Sequence, residues 1–173
     1  MGVRRLALVN NNFQIRLATR ADLEVISDHR ARMFRDMGEV PGEMFDTFRA
    51  QSKEALRSMF EHNQYVGWLA APHDEPGKIV AGAGVTLRKV APHPQPGPGG
   101  KFVIISGRQA IIQNVYTEPE WRRRGVGTLL MKEIIAWSKT TGIESLVLHA
   151  SEEGRPLYEK LGFVTTTEMR FKG

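Results

Sequence analysis

The sequence predicts an α/β protein, a mixed sheet with helices on both faces. Three observations carry this. Strand-like and helix-like hydrophobic patterns alternate along the chain. Tyr65 to Val90 reads as two strands joined by the turn at His73-Asp-Glu-Pro-Gly77. Gln109 to Trp137 reads as a strand, a basic glycine-containing loop and a helix.

Taken in order, Phe13 to Ala18 alternates apolar and polar residues, as a strand does. Thr19-Arg-Ala-Asp22 offers a helix cap with an acid three residues on. The helix it opens carries Leu23, Val25, Ile26, His29, Met33, Phe34 and Met37, and stops at Gly38. After Pro41-Gly42, residues 43–62 place Met44, Phe45, Phe48, Leu56, Met59 and Phe60 at roughly helical spacing.

Tyr65–Ala71 and Ile79–Val90 are the hairpin strands, and Gly82 and Gly84 suggest a bulge or a close neighbour in the second. Ala91 to Gly100 carries Pro92, Pro94, Pro96 and Pro98 with three glycines. Prolines cannot pair in a central strand, so this reads as an exposed, mobile surface loop. Ile143–Ala150 is a strand, Arg155–Leu161 a short helix ended by Gly162, and Phe163–Phe171 a last strand. The order is β-α-α-β-β-β-α-β-α-β.

With 173 residues and 41% hydrophobic content, residues 1–173 are expected to form one domain, with 1–12 a loosely ordered N-terminal extension. No apolar run reaches transmembrane length, and Met1–Asn10 lacks the features of a signal peptide. The chain has no cysteine, which excludes disulfides, thiolate nucleophiles and cysteine zinc sites and fits a cytoplasmic setting. The five histidines show no metal-ligand spacing, so no metal is expected. The net charge of +5 is a mild surface bias. The exception is Arg122, Arg123 and Arg124, clustered beside glycines.

That cluster sits where the next helix has unpaired N–H groups and the positive end of its dipole. Gly125 and Gly127 let a ligand approach the backbone closely. The combination suits an anion, most often a phosphate. Thr128 can offer its N–H and hydroxyl to that phosphate, and can cap the helix.

The spacing Arg122-x-x-Gly125-x-Gly127 resembles the Gln/Arg-x-x-Gly-x-Gly/Ala sequence of the GCN5-related N-acetyltransferases, the GNAT superfamily. A second match follows about thirty residues on, where Leu157-Tyr158-Glu-Lys-Leu-Gly162-Phe163 is similar to the family's Leu-Tyr-x-x-x-Gly-Phe ending. The order of elements agrees over nearly the whole chain. The resemblance implies a central, mostly antiparallel sheet and transfer of acetyl from acetyl-CoA to a primary amine in a ternary complex. It implies that Arg122, Arg123, Arg124, Gly125, Val126, Gly127 and Thr128 bind pyrophosphate. The backbone of Val115, Tyr116 and Thr117 would pair with the pantetheine arm and supply an oxyanion donor.

Tyr158 would be the general acid. A thiol titrates near 8.5 and a phenol near 10, so a phenol can donate to the departing thiolate while itself staying protonated. Taken alone, Leu157, Tyr158 and Leu161 would be one apolar face of a small helix.

The match thins in two places. Gln109, Gln113 and Asn114 offer no base on the strand before the loop, and Glu118 and Glu120 lie too close to the loop; His149, Glu152 and Glu153 at the end of the following strand are candidates that read more simply as surface residues, and no base is assigned. Ser151-Glu-Glu-Gly-Arg155 stands where many members carry a cofactor-binding asparagine, so Ser151 or Arg155 would substitute.

His29, Arg30 and Arg32 have two readings. They are a solvated basic face over a Met/Phe stripe, the simpler one, or the two arginines grip a carboxylate or phosphate of the acceptor. The acceptor is a small-molecule or peptide amine; nucleic acid and membrane are not expected, and a homodimer is common in the family. The rival function is a non-catalytic acyl-CoA sensor. A nucleotide or nucleic-acid binder is disfavoured, because neither a phosphate-binding Gly-x-x-x-x-Gly-Lys-Ser/Thr loop nor aromatic–basic interleaving is present.

Overall fold

A computed structural model describes residues 12–166. Five strands form one sheet in the order β1 (Phe13–Leu17), β2 (Tyr65–Pro72), β3 (Ala81–Lys89), β6 (Arg108–Thr117), β7 (Ser145–Leu148). All neighbours are antiparallel except β6 and β7, which run parallel. Between β3 and β6, β4 (His93–Pro96) and β5 (Phe102–Ile105) make a separate two-stranded hairpin. The helices are α1 (Leu23–Asp36), α2 (Phe45–Glu61), α3 (Val126–Thr140) and α4 (Arg155–Lys160).

Alternation along β2 divides the core. Trp68 and Ala70 face α3, where Val126, Leu129, Leu130, Met131 and Ile134 meet the sheet. Tyr65 and Leu69 face the other way, onto Leu23, Ile26 and Leu56 of α1 and α2. The sheet is thus covered on both faces, as the order of elements implied.

Both readings of the glycine-bearing strand hold. The β3–β6 register shifts between Gly82 and Gly84, so Asn114 and Val115 bulge from β6 opposite Ala83, with Asn114 at φ 57°. Gly84 also makes room for the Tyr65 ring, since a Cβ there would lie 2.1 Å from the phenol oxygen.

The proline-rich stretch departs from expectation, because it contains β4. Gly97 donates its N–H to the Lys101 carbonyl (2.8 Å), which sets the parity of the ladder. His93 and Gln95 then point their N–H groups at β5. Pro94 and Pro96, which have no N–H, fall on the outer edge, where none is needed. Prolines at every second position are compatible with an edge strand.

The last expected strand, 163–171, is not a strand over 163–166, and its remainder lies outside the described residues. The N-terminal extension, residues 1–12, lies outside them except for Asn12.

Candidate active site

The site is built around the point where β6 and β7 part. They pair from Gln109 opposite Ser145 to Ile112 opposite Leu148, and no further. Residues 113–117 of β6 therefore have no strand partner on that side among the described residues. Val115, Tyr116 and Thr117 lie on this stretch, and Thr117 leads into the basic loop.

Arg122 braces the loop. Its Nε donates to the Thr117 carbonyl (2.9 Å) and its guanidinium pairs with Asp36 (2.5 Å), the last residue of α1. The bond to Asp36 raises the pKa of Arg122. The same guanidinium lies 5.6 Å from the Tyr116 ring centre. Arg123 sits at φ 63° with no side-chain partner among the described residues, and Arg124 lies over the Trp121 ring at 4.8 Å.

Gly125 follows at φ 82° and ψ 0°, a left-handed conformation that glycine adopts at little cost. It turns the chain into α3. The first helical bond there runs from Leu129 N–H to the Gly125 carbonyl (3.1 Å). The N–H groups of Val126, Gly127 and Thr128 are therefore left without helical acceptors. The first turn carries no acidic side chain.

A Cβ added at Gly127 would meet nothing within 4 Å except Leu157 Cδ2 at 3.6 Å. The chain's own packing does not require a glycine there; the open space does something else. Free N–H groups, unneutralised cations and an unfilled approach fit a pyrophosphate.

Leu157 brings α4, and with it Tyr158, against this loop. Gly154 leaves room for the phenol ring, since a Cβ there would lie 2.9 Å from Tyr158 Cε2. Phe163 meets the ring edge-on at 6.1 Å. The Tyr158 hydroxyl has no hydrogen-bond partner among the described residues, and burial raises its pKa, which keeps it protonated. Ser151 is spent locally: its Oγ accepts from Gly154 N–H (3.2 Å) and its carbonyl from Arg155 N–H (3.0 Å). Arg155 reaches Thr165.

On the α1 face the basic cluster separates. His29 is buried, 2% exposed, and burial lowers its pKa to about 4, so it is neutral at pH 7. Its Nε2 lies 3.4 Å from Glu118, whose other oxygen takes Arg32 (3.1 Å). Arg32 also pairs with Asp28 (2.8 Å). Arg30 instead donates to Asn114 Oδ1 at the bulge (2.7 Å), and Asn114 donates to the Tyr65 hydroxyl (3.2 Å). A simple solvated face describes neither His29 nor Arg30. Sequence patterns could not reveal the Arg122–Asp36 and Arg30–Asn114 pairs, which join residues more than 80 positions apart.

Among the described residues no group of three or more His, Asp or Glu could hold a metal ion. No helix among them is long and apolar enough to cross a membrane.

Known proteins share this fold. The model of the acetyltransferase (GNAT) family matches residues 25–163. A GCN5-related N-acetyltransferase from Ralstonia eutropha superimposes with a TM-score of 0.79 at 31% identity, over 92% of this chain and 97% of that one. A predicted acetyltransferase from Clostridium acetobutylicum, solved with acetyl-CoA, gives 0.73 at 26% identity over 93% and 96%. The glucosamine 6-phosphate N-acetyltransferase of Trypanosoma brucei brucei is 31% identical over 91 residues, 53% of this chain. The chain spans about half the length of that relative, 54%. The open strand, the glycine loop and the family match converge on one assignment: the chain belongs to the GNAT family of acetyltransferases.

Proposed function

We propose that the protein transfers the acetyl group of acetyl-CoA to a primary amine by direct attack in a ternary complex. The observation that carries this is the proximity of three groups that are free among the described residues: the N–H groups that open α3, the end of β6 beyond its pairing with β7, and the Tyr158 hydroxyl, which Leu157 brings to the loop. Bound acetyl-CoA supplies the activated acetyl thioester.

The residues around it have separate tasks. Arg123, Arg124 and the backbone from Gly125 to Thr128 hold the pyrophosphate, while Arg122 holds the loop in shape through Asp36 and Thr117. Val115 to Thr117 present backbone groups to the pantetheine arm. Tyr158, kept neutral by its burial, donates to the sulfur as the C–S bond breaks. The chain has no cysteine to carry an acyl intermediate, which favours direct attack. The relative from Trypanosoma is named for an amino-sugar acceptor, and that supports an amine here.

The test is release of free thiol from acetyl-CoA across a panel of amines. Thiol release that depends on the amine is expected. CoA binding with no turnover on any amine would instead identify a sensor.

A further inference from the structure

Arg30 is an unusual arginine. Every other arginine among the described residues is either exposed or paired with a carboxylate, as Arg32 and Arg57 are. Arg30 is partly withdrawn from water, and among the described residues no Asp or Glu compensates it. Burial lowers its pKa, and the one titratable neighbour that opposes this is Tyr65, a phenol fully buried and pushed up to about 12. That phenol is neutral at pH 7 and offers no countercharge. A cation without a countercharge in such a place costs free energy that a ligand can recover.

Its surroundings hold it in one orientation. The guanidinium carbon lies 4.8 Å from the Phe34 ring centre and 5.8 Å from that of Phe48. The two rings meet edge to face at 5.2 Å and join α1 to α2. Nη1 is fixed on Asn114, which Tyr65 fixes in turn. Among the described residues one N–H of five is thus used, and the fork of the remaining donors matches a carboxylate or phosphate. Asn114 immediately precedes Val115, so the cation stands beside the strand segment proposed to hold the acyl arm.

We propose that Arg30 is the anion subsite of the acceptor site, so that the amine substrate carries an oxyanion, either carboxylate or phosphate. Arg32, neutralised by Asp28 and Glu118, takes no part. This rests on the acetyl transfer proposed above.

Two matched pairs of acceptors test it: lysine against lysinamide, and an amino-sugar phosphate against the free amino sugar. In one pair, kcat/KM should favour the anionic member by roughly tenfold or more, as a charge-assisted bond to guanidinium allows. The pair that shows the preference identifies the anion. In Arg30→Gln the ratio should fall toward one, mainly through KM of the anionic member. In Arg30→Lys, which keeps the charge, part of it should remain. A purely structural arginine would move stability without moving this ratio.

Turnover with no anionic preference in either pair, or a preference that survives Arg30→Gln, overturns the proposal and leaves acetyl transfer standing. If no amine is turned over, acetyl transfer itself fails. Inorganic phosphate and acetate then decide the subsite by their thermal shift on CoA-saturated protein. A shift lost in Arg30→Gln supports it, and the same shift in both proteins, or none in the unsubstituted protein, overturns it.

Discussion

Gly127→Val separates the proposed pyrophosphate cradle from the fold. A Cβ at this position meets only the flexible end of Leu157, at 3.6 Å, so the apo protein has room for it. Gly127 is the second residue of α3, where replacing glycine gains about 0.5–1 kcal/mol of helix stability and β-branching returns part of that. The apo melting temperature should therefore change by no more than a few degrees.

Ligand binding should respond differently. The added methyl groups occupy the approach to the free N–H groups of Val126 to Thr128. Losing charge-assisted bonds there should weaken CoA by about a hundredfold. At a ligand concentration of a hundred times Kd, binding stabilises the fold by about 2.7 kcal/mol. A hundredfold weaker site would leave about 0.4 kcal/mol. For a chain of this size that is a thermal shift of roughly 5–11 °C reduced to about 1 °C. Gly127→Ala, with one methyl in open space, should keep most of the shift. Differential scanning fluorimetry with and without CoA reads both. An undiminished shift in the valine variant would remove the basis for placing pyrophosphate at this helix end.

Tyr158→Phe keeps the ring and its packing while removing the hydroxyl; turnover of a weakly reactive amine should fall by up to about a hundredfold, with CoA affinity unchanged by calorimetry. Gly84→Ala should displace Tyr65 and destabilise the fold by about 1–3 kcal/mol in urea unfolding. Replacing residues 92–104 with a short glycine–serine turn should leave the CoA shift intact, since the Val90–Gly107 bond (2.9 Å) closes the base of that excursion. Stability should also depend on His29. Its pKa is about 4 folded against 6.5 unfolded, so the unfolded chain binds the extra proton and stability falls as pH drops from 6.5 toward 4. His29→Leu should flatten that part of the unfolding profile, by up to about 3 kcal/mol at its lower end.

What the sequence revealed depended on whether the signal was local. The glycine-containing loop into α3, the Thr19–Asp22 cap and the irregular pairing at Gly82 and Gly84 are each written in a few neighbouring residues, and each is present. The β4–β5 hairpin is hidden in the sequence because prolines read as breakers unless their period is taken into account. With period two they vacate one edge of a strand and leave the other whole. The resemblance implies a phosphate-binding role for Arg122, and its bond to Asp36 comes from α1 packing beside the loop, which spacing cannot show. The basic cluster on α1 could not be resolved for the same reason. Arg30 and Arg32 are two residues apart in sequence and differ by which distant group each one meets, Asn114 or Glu118.

The most direct test of acetyl transfer follows the group itself. Acetyl-CoA labelled in the acetyl group is incubated with the protein and an amine panel, and the amines are analysed by mass spectrometry. Label bound to the nitrogen of at least one amine is expected, at a rate reduced in Tyr158→Phe and, at subsaturating acetyl-CoA, in Gly127→Val. Bound CoA with no labelled amine above the protein-free control would contradict the account.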